Sequence, residues 1–204
     1  MLNKDEDEVW ANSRTEDFWI QDKLLLSKYL QYNCGPTGID VPYPGWYITR
    51  PCVNAMGFGF GAEKVWLDFD TQHLPIGHFW CEFFEGKHYS VDWCPRNKTK
   101  LYTVKGTKEK DTFLRWNKWK KVPNRNEHWY PNRFHDALSH YDHINIEYID
   151  NKIIEIHLRP NEDFYNKDIK EFIPVWENQD TTTPEGYEYI ECPEPHGRIG
   201  AFIK

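Results

Sequence analysis

Apolar and polar residues alternate twice along residues 143–164, HINIEYIDNKIIEIHLRPNEDF, with a reversal at Asp150-Asn151-Lys152. A period of two on both sides of turn-forming residues predicts a β-hairpin. Its register follows from burial. A two-residue loop sets Glu147 opposite Ile154 and Ile146 opposite Glu155, mixing polar and apolar side chains on both faces. A three-residue loop sets Ile146 opposite Ile156 and Glu147 opposite Glu155. One face then carries Ile144, Ile146, Tyr148, Ile154, Ile156 and Leu158, and the other Asn145, Glu147, Glu155, His157 and Arg159. Burial of one face selects the second register, because a one-residue slip puts isoleucines in water. Asn151 suits the left-handed position of such a loop.

Elsewhere the period changes. Phe18, Trp19, Leu25, Leu26, Tyr29 and Leu30 recur at helical spacing, which predicts one helix from about Thr15 to Asn33, stopped by Gly35-Pro36. WYITR reads as a strand ended by Pro51, and residues 63–69 as another, with the glycine-rich NAMGFGFGA between them. FWCEFFEGKHYSVDW supplies two strands divided near Glu85-Gly86, and LYTVKGTK one more. FLRWNKWKKV fits strand or helix, RFHDALSHY a short amphipathic helix, and residues 172–204 short β-like pieces between Pro-rich turns. Strands follow one another with few helices between them. The fold class expected is α+β with antiparallel sheets, not a doubly wound parallel sheet.

Composition narrows the function. Aromatic residues make up 17% of the 204, too much ring area for a disordered chain. A formal charge of −7 argues against a nucleic-acid coat or a binder of anionic membranes. The five cysteines form no CxxC pair and read as reduced thiols. The acidic start MLNKDEDEVWANSRTED has no apolar core of a signal peptide, and no apolar run reaches bilayer length. A cytoplasmic protein without membrane partners is the expectation.

Two carboxylates opposed across a hairpin repel each other unless a cation stands between them. A hard divalent ion such as Mg²⁺ is one solution, because it takes carboxylate oxygens and completes its shell with water and phosphate. Pairing with Arg159 and Lys152 on a solvated face is the other. The glycine-rich segment after Arg50-Pro51 could lay backbone N–H groups on phosphate, although no GK[ST] follows and no helix opens behind it. The histidines show neither HxxxH nor HExxH spacing, which argues against a zinc hydrolase, and Cys94 reads as a buried small hydrophobe. LRWNKWKK interleaves Trp116 and Trp119 with Arg115, Lys118, Lys120 and Lys121. That pattern suits a single-strand nucleic-acid binder, a basic segment beside a nucleotide cleft, or a plain surface strand.

Four of these pieces, in this order, resemble the ATP-grasp family. ITRPCVNAMGFGFGA resembles its strand and flexible glycine loop, and IQDKLLLSKYLQYNCGPTGIDVP its opening segment. FWCEFFEGKHYSVDW resembles its hinge strand, and IEYIDNKIIEIHLRPN its terminal metal hairpin. The resemblance covers about residues 15–165 and implies a two-lobed fold with a nucleotide cleft between lobes, in a minimal form without the usual N-terminal domain. It divides the chain into a tail (1–14), a small lobe with the glycine loop (15–78), a second lobe with the metal hairpin (79–165) and a C-terminal extension (166–204). It implies ATP and Mg²⁺ as cofactors. Lys23 and Arg50 would contact phosphates, Arg50 standing where the family has Lys, and Gly57, Gly59 and Gly61 would close over them. Glu82, with the backbone around Phe83 and Phe84, would hold adenine, and His88 would reach the ribose. Glu147 and Glu155 would hold the metal, with His157 in the place of an Asn ligand and Asn161 as its substitute. Arg159 and Arg50 would neutralise charge during catalysis. The activity implied is ligation of a small-molecule or peptide carboxylate to an amine or thiol through an acyl phosphate. The alternatives are a catalytically lapsed ATP-grasp-like protein and a nucleic-acid module using the Trp/Lys-rich segment.

Overall fold

The strands divide between two sheets, and every pairing is antiparallel. The computed structural model describes residues 6–53, 59–110, 112–113, 115–165, 167–194 and 196–204. The smaller sheet holds β1 (Cys34–Pro36), β2 (Gly45–Pro51), β3 (Glu63–Leu67) and β4 (His78–Glu82) in the order β1-β4-β2-β3. The larger holds β5 (His88–Cys94), β6 (Thr99–Lys108), β7 (Trp116–Val122), β8 (Ile144–Ile149), β9 (Lys152–His157), β10 (Glu171–Trp176), β11 (Glu188–Glu194) and β12 (Arg198–Ile203). Their order is β11-β12-β10-β7-β6-β5-β8-β9.

The α+β antiparallel class expected from the sequence is the one observed, but two boundaries fall elsewhere. β4 pairs with β1 and β2, so the chain leaves the small sheet after Glu82 and not at residue 78. Residues 166–204, expected as an extension packed on the domain, are built into the larger sheet: β10 pairs with β7 through Phe172 and Trp119 and carries β12 and β11 beyond it. The sequence 1–14 also holds more than a tail: α1 (Glu6–Asn12) puts Val9 into the main core.

The single helix expected over residues 15–33 is broken. A 3₁₀ turn spans Thr15–Ile20, and α2 runs only from Lys23 to Tyr29. Asp22 causes the break: its side chain accepts from the Leu25 N–H at 2.9 Å, capping a new helix. The Lys23 N–H goes instead to the Cys52 carbonyl at 2.8 Å, tying the start of α2 to the end of β2.

In the hairpin, Glu147 faces Glu155 and Ile146 faces Ile156, as burial requires. The loop differs from expectation. Ile149 pairs with Lys152 around a two-residue turn, Asp150 rather than Asn151 takes positive φ (48°), and a bulge after Tyr148–Ile153 restores the register. One extra residue in the strand does what one extra residue in the loop would have done. Ile153 therefore lies in the core, and Ile154, expected there, is turned to the cleft. Ile144, Ile146, Tyr148 and Ile156 are at most 2% exposed, packed under Leu26, Phe134 and α3 (His135–Leu138). Each such burial contributes about 1.5–3 kcal/mol. Helices thus cover one face of β5, β8 and β9, which leaves the opposite face for a site.

Candidate functional site

Between the two sheets lies a cleft of about 940 Å³. Its roof comes from the small sheet: Ile48 and Arg50 alternate with the buried Tyr47 and Thr49 along β2, so their side chains point the other way, into the cleft. Its floor is the polar face of the hairpin. Phe83 and Phe84 line the segment that crosses from β4 to β5.

Each hairpin carboxylate has a nitrogen partner from another element. Lys23 Nζ lies 3.0 Å from Glu155 Oε1, and His88 Nε2 lies 2.9 Å from Glu147 Oε2. Burial pushes the Glu155 carboxyl up, but Lys23, His157 and Arg50 outweigh it and hold the group well below its ordinary value. Glu147 is likewise lowered, with His88 overcoming burial. Burial lowers the Lys23 ammonium, and Glu155 restores part of that. Lys152, the partner proposed for a solvated face, lies instead over the rings of Tyr32 and Phe84 at 5.6 and 5.9 Å.

Arg50 donates from Nη2 to the Ile154 carbonyl at 2.9 Å, and its Nε is buried without a hydrogen-bond partner. An orphaned guanidinium N–H in a cleft is a ready donor for an anion. Gly59 lines the cleft with φ of 71°, whereas Gly61 (φ 74°) does not line it: a Cβ there would stand 3.1 Å from the ring of Pro51. Gly57 lies outside the described residues.

Three expected positions differ in detail. Glu82 does not line the cleft, and its carboxylate accepts from the Asn33 N–H at 3.3 Å. Alternation along β4 explains this, because Cys81 faces the cleft and its neighbour faces away. His88 is 6% exposed, boxed edge-on by Trp116 and Trp119 at 4.6 and 5.6 Å, and engaged with Glu147. Asn161 donates from Nδ2 to the Ser90 hydroxyl oxygen at 3.1 Å and accepts at Oδ1 from the Asp163 N–H at 3.1 Å. His157 Nε2 lies 3.7 Å from Glu155 Oε1, and Arg159, at the cleft wall, lies 3.4 Å from Glu162.

The sequence did not reveal the support beneath. Asp92, fully buried, accepts from Asn145 Nδ2 at 2.6 Å and from the Asn161 N–H at 3.1 Å, and lies 2.6 Å from His143 Nε2. This network fixes β8, which carries Glu147, and the segment after β9 that carries Arg159. Lys105 and Lys108 also reach the cleft, Lys108 with its ammonium 4.9 and 4.7 Å from the Phe113 and Trp116 ring centres. A glycine between two lysines in mid-strand was the available signal. Trp116 and Trp119 are each 8% exposed and packed on Gly106, so they offer no open stacking surface for single-stranded nucleic acid.

Among the described residues no group of three or more His, Cys, Asp or Glu side chains is disposed to hold a metal ion. Magnesium seldom has an all-protein cage; one or two carboxylates and a phosphate commonly suffice. The opposed Glu147 and Glu155 fit that requirement. No helix among the described residues is long and apolar enough to cross a membrane.

Solved structures share this architecture. One is the N5-carboxyaminoimidazole synthetase from Staphylococcus aureus, crystallised with ADP (TM-score 0.54, 12% identity, 91% of this chain and 67% of that one). Others are the L-amino acid ligase from Bacillus licheniformis (0.54, 11%, 91% and 66%) and the N5-carboxyaminoimidazole ribonucleotide synthetase from Thermotoga maritima (0.52, 12%, 91% and 67%). This chain spans about two thirds of the length of each. No family model and no curated protein matches the sequence.

Proposed function

From the ATP-grasp fold that this chain shares with those enzymes, we propose that it binds ATP in the cleft and joins a carboxylate to an amine or thiol. One observation carries the reading: Lys23, Arg50, Glu147, Glu155 and the Phe83–Phe84 crossing, far apart in sequence, line one cavity. Phe83 and Phe84 supply apolar surface for a base. Arg50, with its unpartnered Nε, and Lys23 supply cations for phosphates. Glu147 and Glu155 would hold Mg²⁺, which when bound neutralises phosphate charge.

In the reaction proposed, a substrate carboxylate oxygen attacks the γ-phosphorus and ADP departs. An amine or thiol then attacks the acyl carbon, inorganic phosphate leaves with the bonding electron pair, and the nucleophile's proton passes to solvent. The chain's residues position the partners and neutralise charge, and no side-chain nucleophile is required. Arg159, which lines the cleft, would neutralise charge on the transferring phosphoryl group.

The test is hydroxamate formation from ATP, Mg²⁺, hydroxylamine and a panel of carboxylates. An acyl phosphate gives hydroxamate and a matching yield of ADP. Stabilisation by ADP with no turnover on any carboxylate would favour the second reading, a lapsed nucleotide binder, which Arg50's engagement with the β9 backbone supports. No thermal shift with any nucleotide would end both, since at a hundredfold excess over Kd binding adds about 2.7 kcal/mol.

A further inference from the structure

The Glu155 carboxylate already has a cation. Lys23 and Glu155 form their 3.0 Å pair with side chains only 6% and 14% exposed. Glu155 is one of the two oxygen-donor groups that the hairpin offers a divalent ion, and Lys23 sits on its Oε1. Two cations at one carboxylate oxygen repel strongly where water is scarce. Lys23 also reaches the small sheet: it opens α2, and its backbone N–H holds the Cys52 carbonyl just beyond β2. Lys23 lines the cleft, so rotation of its side chain alone would carry the ammonium from Glu155 toward phosphates bound there.

We propose that Lys23 is the resident counter-cation of Glu155, excluding a divalent ion from the empty cleft until a nucleotide's phosphates draw the ammonium away. The inference rests on the nucleotide reading above. It gives binding an order: the nucleotide comes first or together with the metal, never after it. Glu147 alone is a poorer site for the ion, because one of its oxygens, Oε2, already faces His88 Nε2 at 2.9 Å.

The experiment titrates Mn²⁺, a paramagnetic oxygen-seeking ion, into the full chain without nucleotide and counts free ion by electron paramagnetic resonance. Lys23→Met, which keeps length and removes charge, should bind Mn²⁺ at least tenfold more tightly than the wild type. Lys23→Arg should remain as weak as the wild type, and adding Glu155→Gln to Lys23→Met should cancel the gain. Lys23→Gln gives the same reading should the methionine variant fail to fold. The proposal is overturned if removing the charge leaves Mn²⁺ affinity unchanged, or if ADP binds and the wild type still takes up Mn²⁺ no better than without it. A calorimetric titration of ADP in chelator tests the nucleotide reading separately. If ADP does not bind while Lys23→Met gains the metal, the nucleotide reading fails and the counter-cation role stands.

Discussion

The guanidinium of Arg50 meets the carbonyl of Ile154 at 2.9 Å, joining β2 of the small sheet to the bulge of β9 in the large one. The bulge turns Ile154 away from the core and leaves its carbonyl to be satisfied from across the cleft. Arg50 thus fastens the two walls while its buried Nε stays unpartnered.

This double duty separates two substitutions. Arg50→Lys keeps a cation for phosphate, and nucleotide affinity should fall no more than about fivefold. Arg50→Met removes a charge-assisted bond worth about 1.5–3 kcal/mol, so affinity should fall roughly 10- to 100-fold. Calorimetric titration with ADP checks both. Equal affinity in Arg50→Met and wild type would remove Arg50 from the phosphate site.

How far the sequence foretold this site depends on the range of the interaction. Glu147 opposite Glu155 was legible because hiding isoleucines admits one register. The turn was not, since a longer loop and a bulge add the same single residue and leave the same alternation. Asp22 had the residue type of a helix cap, and in the family's opening segment a DK pair opens a helix, but the apolar period continued through Asp22 and by itself concealed the break. Lys23 with Glu155, Arg50 with Ile154, and Asp92 with Asn161 are long-range partnerships, and no local pattern encodes them. Strands β10–β12 were read as an extension because their partner, Trp119 of β7, sits in a segment that local periodicity could not assign to strand or helix.

The crossing from β4 to β5 gives a contrast between neighbours. Phe83 lines the cleft, with the Lys64 ammonium 4.2 Å from its ring centre, whereas Glu82 points to Asn33. Phe83→Ala should weaken nucleotide binding at least fivefold, and Glu82→Ala should leave it within twofold of wild type. A fluorescent ADP analogue reads both. Loss of binding in Glu82→Ala would restore the hinge role that the sequence suggested for it.

Gly106 keeps the cleft floor flat. A Cβ there would lie 2.4 Å from Trp116 Cζ3 and 2.8 Å from Trp119 Cζ3, two rings already 4.2 Å apart. The indoles cannot both retreat, because His88 stands edge-on against them. Gly106→Ala should therefore destabilise by about 1–3 kcal/mol. At about 2–4 °C per kcal/mol for a chain of this size, calorimetry should show Tm lower by roughly 2–12 °C. An unchanged Tm would mean that the tryptophan pair is loosely packed.

The last prediction concerns acid. Glu171, at the start of β10, accepts from Lys118 Nζ at 2.6 Å, Lys120 Nζ at 3.0 Å and the Tyr187 hydroxyl at 2.5 Å. These partners, Lys118 first, hold its carboxyl down at about 2, against an ordinary 4.5. A carboxylate whose folded-state value is depressed is protonated first in the unfolded chain, so falling pH favours unfolding. Its contribution is complete above about pH 5 and is lost as pH drops from 4.5 toward 2. Because the lysines are well solvated, the network is worth about 0.5–1 kcal/mol, or roughly 1–4 °C. Glu171→Gln should show that deficit in Tm at pH 7, a smaller one at pH 4, and almost none at pH 2.5. A deficit that stayed constant from pH 7 to pH 3 would mean that the charge on Glu171 does not brace β7 against β10.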